Sequence, residues 1–439
     1  MKIYVLLLIS LVQANYDYLP QQIHISYTNH RDEMMITWST LLDTNVSTVR
    51  YSKVQENPIL QHNITSNNIK EFIDGGELKR VEYIHRVLLT NLEIGEQYYY
   101  VCGSVKFGWS NLYKFTTMKD FKKNNTYPKI IFYGDLGDTN SVSLARIQEY
   151  TEHNVVDAIL HIGDFAYNLY DDNGIVGDRF MNDIQSLAAN IPYMTAVGNH
   201  EYLYNFSHYK NRFTMPSYKK YENMYYSWDI GKAHIISLST EFYYFFNENR
   251  YYLVEKQYQW LENDLFKANL PENRKKHPWI ITMGHRPFYC SNRNIGSRPI
   301  QCTLKNNTAR LGLLVNNTRM FGLEELLIRY NVDIELWGHQ HSYERLYPVD
   351  NYKVFRKNVF KKKNITIYYR SSKPIQIISG SPGCNEDLIP FLDFKFKWSA
   401  FRSETYGYGH LSIYNSTNIE IKQIDGKNNN IIDNVIIIK

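Results

Sequence analysis

The chain has little excess charge of either sign. Its formal net charge is +5 over 439 residues, and its basic residues are scattered along the sequence. Because nucleic-acid-binding surfaces concentrate lysine and arginine, we expect no nucleic-acid partner. The short run Lys361-Lys362-Lys363 is typical of a solvated loop.

Long apolar runs are absent apart from one at the start of the chain. That run, Ile3 to Val12, is too short to span a bilayer, which takes about 20 residues. It follows Lys2 and precedes modest side chains at Val12-Gln13-Ala14, so it predicts a secretory signal peptide over residues 1–14. We therefore expect an exported protein, secreted to the extracellular space or lysosomal, with no stable membrane insertion.

Asn-x-Ser/Thr acceptors for N-glycosylation support export, although an asparagine-rich chain contains some of them by chance. The acceptors are Asn45, Asn63, Asn124, Asn205, Asn306, Asn316, Asn364 and Asn415.

Cysteine is scarce, with four residues in the chain. Cys290 and Cys302 are close in sequence and flank a predicted loop, so they are candidates for a local disulfide in an oxidising compartment. The spacing leaves open whether Cys102 and Cys384 pair across domains or remain free thiols.

Residues 18–118 contain short stretches with the alternation of a β-sandwich, separated by turn residues. Trp38 is a candidate core residue, and the stretch from Leu92 to Tyr98 resembles the tyrosine corner of immunoglobulin-like and fibronectin type III domains. No residue here has a catalytic pattern, so we interpret the domain as a packing or substrate-rim module. The predicted strands cover residues 22–26, 34–38, 48–51, 83–89 and 97–102, and a polar linker covers 120–127.

From Pro128 the pattern changes to apolar run, polar motif and helix, which predicts an α/β domain of βαβ units over residues 128–439. A hydrophobic fraction of 44% can supply its core. The predicted helices cover residues 141–150, 179–189 and 321–330, and further strands are expected at 375–380 and within 410–423.

Five apolar runs of this domain end in residues that can bind a metal. They end in Gly134-Asp135, Gly163-Asp164 with Tyr167, Gly198-Asn199-His200-Glu201, Gly284-His285 and Gly338-His339-Gln340-His341. In an open α/β sheet the ligand crevice lies outside the carboxyl ends of the strands, so these residues can converge on one site. The donors suffice for two ions, and the two oxygens of Asp164 could contact both.

These motifs resemble the five motif blocks of the metallophosphoesterases. With a tyrosine three residues after Asp164, the second block resembles that of the purple acid phosphatase branch. The stretches 285–292, 341–345 and 398–400 are similar to the animal long form of that branch. The resemblance covers nearly all of the chain after residue 14. It implies a fibronectin type III-like β-sandwich followed by an α/β metallophosphoesterase domain, with mixed β-sheets flanked by helices.

The resemblance also implies a role for each ligand. A ferric ion would be held by Asp135, Tyr167 and His341, a divalent zinc or ferrous ion by Asn199, His285 and His339, and Asp164 would bridge the two. Two ions about 3.5 to 4 Å apart clamp the attacking and leaving oxygens of a displacement at phosphorus. Because water on a trivalent ion ionises readily, a metal-bound hydroxide can attack in acid, so we expect an acid phosphatase acting on small phosphate monoesters.

Other residues have weaker signals. His200, next to Asn199, is the candidate acid for the leaving group or partner of the phosphoryl oxygens. Glu201 is interpreted as a support for the ligands, and residues 343–345 as a brace for the histidine loop. His161 is expected to be a packed core histidine. No role is assigned to His24, His85 and His234.

The residues leave several alternatives open. His339 and His341 would face the same side of a strand, which a loop does not ensure. Plant relatives carry further histidines after the motif at His285, whereas this chain has Ser291-Asn292-Arg293-Asn294, so the leaving-group contacts stay open, with Arg293 as a candidate phosphate contact. A phosphodiesterase or nucleotidase with the same metal core, or a non-catalytic iron-binding glycoprotein, are the alternative functions. The oligomeric state is open, a homodimer included.

Overall fold

A computed structural model gives the fold and describes residues 16–54, 61–123, 125–245, 251–293 and 301–439. The predicted signal peptide and the acceptor Asn124 lie outside the described residues. Within the described ranges, no helix is both long enough and apolar enough to cross a membrane.

The N-terminal domain consists of two antiparallel sheets packed face to face. Its strands are β1 (Gln21–Ser26), β2 (Met34–Thr40), β3 (Ser47–Ser52), β4 (His62–Ser66), β5 (Ile69–Ile73), β6 (Val81–Leu89), β7 (Gln97–Ser104), β8 (Gly108–Trp109) and β9 (Tyr113–Thr116). One sheet has the order β1-β2-β6-β5, and the other has β4-β3-β7-β8 with β9 also paired to β7. The predicted strands are therefore present, each within two residues of its expected bounds.

Trp38 and Tyr98 take the places in this domain that the sequence predicts, as a core residue and as a tyrosine corner. Trp38 is buried and stacks on the ring of His85, with 4.9 Å between ring centroids. The hydroxyl of Tyr98 accepts the backbone N–H of Glu93 at 3.0 Å, which is the hydrogen bond of a tyrosine corner. His85 is held between hydroxyls of Thr40 and Ser47, so its role is in packing.

The C-terminal domain contains two larger sheets with helices on their outer faces. Its strands are β10 (Lys129–Tyr133), β11 (Ala158–Ile162), β12 (Tyr193–Ala196), β13 (Tyr226–Ile230), β14 (Ala233–Ser237), β15 (Trp279–Gly284), β16 (Gly312–Val315), β17 (Thr318–Phe321), β18 (Ile334–Trp337), β19 (Tyr343–Leu346), β20 (Val349–Asp350), β21 (Lys353–Val354), β22 (Val359–Lys362), β23 (Ile365–Tyr369), β24 (Ile375–Ser379), β25 (Ser399–Ser403), β26 (Gly407–Ile413), β27 (Asn418–Asp425) and β28 (Ile431–Ile438). The helices are α1 (Leu144–His153), α2 (Ile175–Asp183), α3 (Gln185–Ala188), α4 (Leu203–Arg212), α5 (Tyr218–Tyr221), α6 (Tyr251–Ala268), α7 (Pro271–Lys276), α8 (Thr308–Leu311) and α9 (Leu323–Arg329), with short 3-10 turns at Asn199–Glu201, Glu241–Tyr243 and Gln301–Thr303.

The topology of the two sheets brings their parallel strands together. One sheet has the order β12-β11-β10-β26-β27-β28-β23-β22, in which β10, β11 and β12 are parallel. The other has the order β13-β14-β15-β18-β24-β19-β25, in which β14, β15, β18 and β24 are parallel. Every residue of β11, β12, β15 and β18 is buried, as expected for strands covered on both faces.

One predicted helix is placed wrongly by the sequence. A single helix was expected over residues 179–189, but α2 begins at Ile175 and ends at Asp183, and α3 follows as a separate turn. The chain enters α2 through Gly174, whose positive φ of 84° only glycine adopts without strain. The α1 and α9 predictions are correct in position, with ends displaced by one to three residues.

A buried ion-pair network joins the two domains. The guanidinium of Arg212 on α4 lies 2.9 Å from Glu82 and 2.7 Å from Asp178. It also donates to Gln22 at 2.7 Å. Because Glu82 and Gln22 belong to the sandwich while Asp178 lies on α2, one arginine from the C-terminal domain neutralises carboxylates from both domains.

Candidate metal centre

The predicted ligands meet where the carboxyl ends of the two sheets face each other. Asp135, Asp164 and Asn199 follow β10, β11 and β12 of one sheet. His285 follows β15 of the other sheet, and the loop between β18 and β19 carries His339 and His341. The side chains of Asp135, Asp164, His285 and His341 are buried, and those of Asn199 and His339 are partly exposed. The strand-end pattern therefore correctly predicts which parts of the chain come together.

One half of the donor set consists of Asp135, Tyr167 and His341. The Tyr167 hydroxyl lies 3.2 Å from Oδ1 of Asp135 and 2.8 Å from Nε2 of His341. Nδ1 of His341 is 2.9 Å from the carbonyl oxygen of Asp387, so an Nδ1 proton donated there leaves the Nε2 lone pair directed at the site. Burial and the Asp135 carboxylate raise the pKa of Tyr167 well above its usual value, and a bound cation would oppose that shift by favouring the phenolate.

The other half consists of Asn199, His285 and His339, next to Asp164. Nε2 of His285 lies 2.9 Å from Oδ2 of Asp164 and 3.2 Å from Oδ1 of Asn199, while its Nδ1 is 2.8 Å from the carbonyl oxygen of Ile162. One ligand atom from each of Asp164, His285 and His339 lies within 4.8 Å of the others. These three side chains can therefore surround a single ion.

The charges of the site favour the binding of cations. Although burial disfavours its protonated form, the carboxylates of Asp164 and Asp135 raise the pKa of His285 to about 10. Burial, the Arg286 guanidinium and His285 instead lower the pKa of His339 well below its usual value, which leaves a neutral imidazole. Buried carboxylates beside neutral nitrogen and oxygen donors fit cations, because the ions replace the protons that would otherwise balance the charge.

The backbone at the site is held in conformations that unconstrained chains rarely adopt. Four predicted ligands have positive φ: Asp135 at 64°, Asp164 at 53°, Tyr167 at 52° and His339 at 68°. Such conformations each cost on the order of 1 kcal/mol or more and are typical of functional sites, where the surrounding structure fixes them. Sequence patterns carry no signal for these angles in aspartate, tyrosine or histidine.

Two glycines allow the strand ends to approach each other. A Cβ at Gly198 would lie 2.2 Å from Oδ1 of Asp164. A Cβ at Gly163, where φ is +81°, would lie 2.6 Å from Nδ1 of His285. Any side chain at either position would therefore displace a predicted ligand.

Glu201 connects the Asp164 loop to the Asn199 turn. Its Oε2 accepts the backbone N–H groups of Asp164 at 3.0 Å and Gly198 at 2.8 Å, and its Oε1 accepts that of Phe165 at 3.0 Å. The side chain is fully buried. Burial and the Asp164 carboxylate raise the pKa of Glu201 to about 8. This residue supports the ligands and does not face the open side of the site, in agreement with its interpretation from the sequence.

His200 lies between the ligands and solvent. Its Nδ1 is 2.6 Å from the side-chain oxygen of Asn168, and its Nε2 is 3.9 Å from Oδ2 of Asp164 and 3.6 Å from a carboxylate oxygen of Glu386. Its ring packs against Tyr167, with 4.4 Å between centroids, and 22% of its side chain is exposed. His200 is therefore reachable by a substrate that also contacts the donor groups.

The sequence could not decide how His339 and His341 face, and the structure shows that they diverge. Both lie in a loop, and His339 contacts Arg286 and His285 while His341 contacts Tyr167. Arg286 itself was missed: its Nη1 lies 3.0 Å from Nε2 of His339. The sequence feature that could have identified Arg286 as part of the site is its position directly after the predicted ligand His285.

The segment after His285 is used for packing. Ser291 donates to Glu344 at 2.6 Å, Asn292 donates to Ser342 at 2.8 Å, and Arg293 pairs with Asp393. The guanidinium of Arg293 is thus paired with a neighbouring carboxylate, which does not support its prediction as a phosphate contact. Asn294 lies outside the described residues.

The remaining predicted residues are placed as follows. Cys290 and Cys302 form a disulfide, and Cys102 and Cys384 are buried free thiols. His161 is buried and bonded to the Tyr193 hydroxyl at 2.6 Å, as expected of a core histidine. The seven described glycosylation acceptors are all exposed: Asn45, Asn63, Asn205, Asn306, Asn316, Asn364 and Asn415.

Comparison with known families covers most of the chain. Residues 20–117 match the family described as purple acid phosphatase, N-terminal domain, and residues 128–343 match calcineurin-like phosphoesterase. Residues 373–434 match the family described as iron/zinc purple acid phosphatase-like protein C.

Individual relatives agree with these families. Acid phosphatase type 7 of Mus musculus is 44% identical over 96% of this chain and 91% of its own length. The Fe(3+)-Zn(2+) purple acid phosphatase 12 of Arabidopsis thaliana is 28% identical over 91% of this chain and 79% of its own length. The solved structure of purple acid phosphatase PPD1 from yellow lupin aligns with a TM-score of 0.72 at 21% identity, over 96% of this chain and 74% of that one. The chain belongs to the purple acid phosphatase family, with a sheet-rich N-terminal domain and a calcineurin-like phosphoesterase domain.

Proposed function

We propose that this chain hydrolyses phosphate monoesters in acid at a site for two metal ions. The observation that carries the proposal is the meeting of two different donor sets beside one buried carboxylate, that of Asp164. Oδ2 of Asp164 lies 2.9 Å from Nε2 of His285, and its negative charge also contributes to the raised pKa of Tyr167 in the other donor set. A carboxylate in this position can be shared by two cations.

The donor chemistry supports a ferric ion and a divalent ion. The set of Asp135, Tyr167 and His341 contains two oxygens that can be anionic, which stabilise a trivalent ion. The set of Asn199, His285 and His339 offers neutral donors, which suit zinc or ferrous iron. The description of the family matched by residues 373–434 and the name of the Arabidopsis relative both pair iron with zinc, in agreement with this division.

When bound, the ions would polarise the phosphoryl oxygens and lower the pKa of a coordinated water. The chain itself must orient the substrate and supply the leaving group with a proton. His200 is placed for this because its Nδ1 is oriented by the side-chain oxygen of Asn168, 2.6 Å away, which leaves Nε2 facing the site. In acid, an imidazolium at this position donates its Nε2 proton to the departing alkoxide, and such help is typically worth about 10² to 10⁴ in rate.

The experiment combines hydrolysis with metal analysis of the intact, metal-loaded protein. At acid pH, p-nitrophenyl phosphate should be cleaved and bis(p-nitrophenyl) phosphate cleaved much more slowly. Mass spectrometry should give one iron and one divalent ion per chain. A preparation with both ions that turns over neither ester, or one that prefers the diester, would overturn the proposal.

We also propose that the protein is exported and glycosylated, with the extracellular space or the lysosome as its destination. The signal-peptide pattern of residues 1–14, the disulfide between Cys290 and Cys302, and seven exposed acceptor asparagines support this. Expression of the full chain in a secreting eukaryotic cell should yield a protein that begins near residue 15 and shifts to lower mass with an N-glycosidase. Retention of Met1 together with no glycosidase shift would contradict it.

A further inference from the structure

The acid His200 marks the side on which the alcohol part of a substrate must lie. A leaving oxygen that takes the Nε2 proton is within hydrogen-bond distance of that nitrogen, so the rest of the alcohol extends past His200 toward solvent. Ser291 and Asn292 are buried and bonded to Glu344 and Ser342, so their side chains are not available to contact that alcohol. Within the described part of the chain, the groups next to His200 are therefore the candidates for contacts with the alcohol.

One of these groups is the carboxylate of Glu386. Its Oε1 lies 3.6 Å from Nε2 of His200, and 49% of its side chain is exposed. The loop that carries it is fixed on both sides: Cys384 donates its N–H to Leu136 at 2.8 Å, and the carbonyl of Asp387 accepts from His341 at 2.9 Å. A negative charge is thus held at the open edge of the site by the same contacts that orient a predicted ligand.

Tyr202, two positions after His200 in the chain, belongs to a cluster of aromatic rings. Tyr202 is 41% exposed and stacks flat on Phe245, with 4.6 Å between centroids and 3° between ring planes. Tyr170 packs edge-on against Tyr202 at 6.4 Å. The faces of such rings are electron-rich and attract cations, with ammonium groups as the typical ligand.

We propose that Glu386 determines the substrate class of this site and that, with Tyr202, it favours phosphate monoesters of small cationic alcohols over those of anionic ones. This inference rests on the proposed function, because it concerns the alcohol part of the same substrate. A carboxylate beside the leaving oxygen attracts an ammonium group two or three bonds away and repels a second carboxylate or phosphate. At the dielectric constant of bulk water, about 80, a unit charge about 5 Å from the carboxylate changes kcat/KM by about fourfold, and by more where the bound substrate excludes water.

The test compares three esters on the metal-loaded enzyme at one acid pH: phosphocholine, neutral glycerol 2-phosphate and anionic 2-phosphoglycolate. Each kcat/KM is expressed relative to that of glycerol 2-phosphate, so a general loss of activity cancels. In the wild type, phosphocholine should be preferred. In Glu386→Gln the relative value for phosphocholine should fall roughly fourfold or more and that for 2-phosphoglycolate should rise, because the attraction and the repulsion disappear together.

Two further variants separate this role from others. Asp393→Asn removes an exposed carboxylate that is paired with Arg293, and it should leave both ratios unchanged. Tyr202→Ala should lower the phosphocholine ratio by roughly two- to fivefold without affecting the 2-phosphoglycolate ratio, as expected for the loss of an exposed cation–π contact.

The outcomes distinguish the two proposals. Ratios that are the same in the wild type and Glu386→Gln, with all three esters cleaved, would overturn the substrate class and leave the phosphatase proposal intact. A uniform loss of kcat on all three esters in Glu386→Gln would also overturn it, since that result assigns the carboxylate to orienting His200. A wild type that cleaves none of the esters would overturn the proposed function itself.

Discussion

Replacement of Glu201 by glutamine tests whether one buried carboxylate holds the divalent half of the metal centre. Glu201 accepts N–H groups from Asp164 and Phe165 on one loop and from Gly198 on the turn that carries Asn199. The substitution keeps the size of the side chain and replaces one carboxylate oxygen by an NH₂ group. Its effect therefore reports on hydrogen bonding and charge, with little change in packing.

The magnitude follows from the distribution of the three bonds. Two of them, from Asp164 and Gly198, go to Oε2, so a glutamine whose carbonyl takes that position keeps both. Its NH₂ group then faces the N–H of Phe165, which loses its buried acceptor at a cost of about 1 to 3 kcal/mol. We expect Glu201→Gln to lower the free energy of unfolding by roughly 1 to 3 kcal/mol.

The consequence for the metals should be selective. Glu201 positions Asp164 and the turn before Asn199, whereas Asp135, Tyr167 and His341 are held by other contacts. Loss of a partner that orients metal ligands typically costs about 10- to 100-fold in metal affinity. Glu201→Gln should therefore lose the divalent ion first and keep the ferric ion with its visible absorption.

The measurements are urea unfolding, metal content by mass spectrometry and the visible spectrum, made on the variant and on Glu262→Gln. Glu262 is an exposed glutamate in a loose 3.5 Å pair with Arg329, so the same substitution there should change none of the three quantities. Wild-type stability and full divalent content in Glu201→Gln would refute this reasoning. Equal loss of both metals would show that Glu201 supports the whole centre.

Four further predictions concern single residues. Asp164→Asn removes the shared charge and should reduce kcat at least 10²-fold while the far-UV circular dichroism stays unchanged; a variant with most of its rate would exclude a bridging carboxylate. Tyr167→Phe removes the phenolate and should bleach the visible colour of the iron-loaded protein, and an unchanged spectrum would place the tyrosine outside the metal centre. His200→Ala should lower kcat about 10²- to 10⁴-fold for esters with poor leaving groups, with less effect on p-nitrophenyl phosphate, and equal losses on both would argue against proton donation. Although burial disfavours the protonated imidazole, two aspartates raise the pKa of His234 to about 9, above the 6.5 of an unfolded chain. The stabilisation of the fold by protonated His234 is therefore present below pH 6.5 and is lost as the pH rises through 9. His234→Gln should destabilise the protein by roughly 2 to 3 kcal/mol at pH 6 and by little at pH 9.5 or above.

The parts of the fold that the sequence predicts are those that depend on local patterns. The buried run before Asp164 identifies a strand whatever lies beside it, and the strand-end rule then places Asp164 next to His285 although 121 positions separate them in numbering. The alternating strands of the N-terminal domain, with Trp38 and Tyr98, belong to the same category.

The parts that could not be predicted depend on the paths of loops. Glu386 meets His200, and Arg286 meets His339, only because the loops between strands take particular conformations, including the positive φ of His339. Intrinsic preferences of aspartate or histidine oppose such angles, and long-range contacts impose them. The helix that was placed at 179–189 was wrong for a related reason, since the turn at Gly174 sets where α2 begins.

The arginine shared by the two domains has a consequence for attempts to produce a smaller enzyme. A fragment starting at Pro128 would contain Arg212 but neither Glu82 nor Gln22, so a side chain that is 1% exposed in the whole protein would keep Asp178 as an ionic partner but lose the other. The fragment would also lose the sheet residues of the N-terminal domain that cover the C-terminal domain. Their loss would expose an apolar surface that is prone to self-association. Proteolytic trimming of the first hundred residues should therefore yield aggregated protein, and libraries that exchange this module among relatives should preserve an acid at position 82.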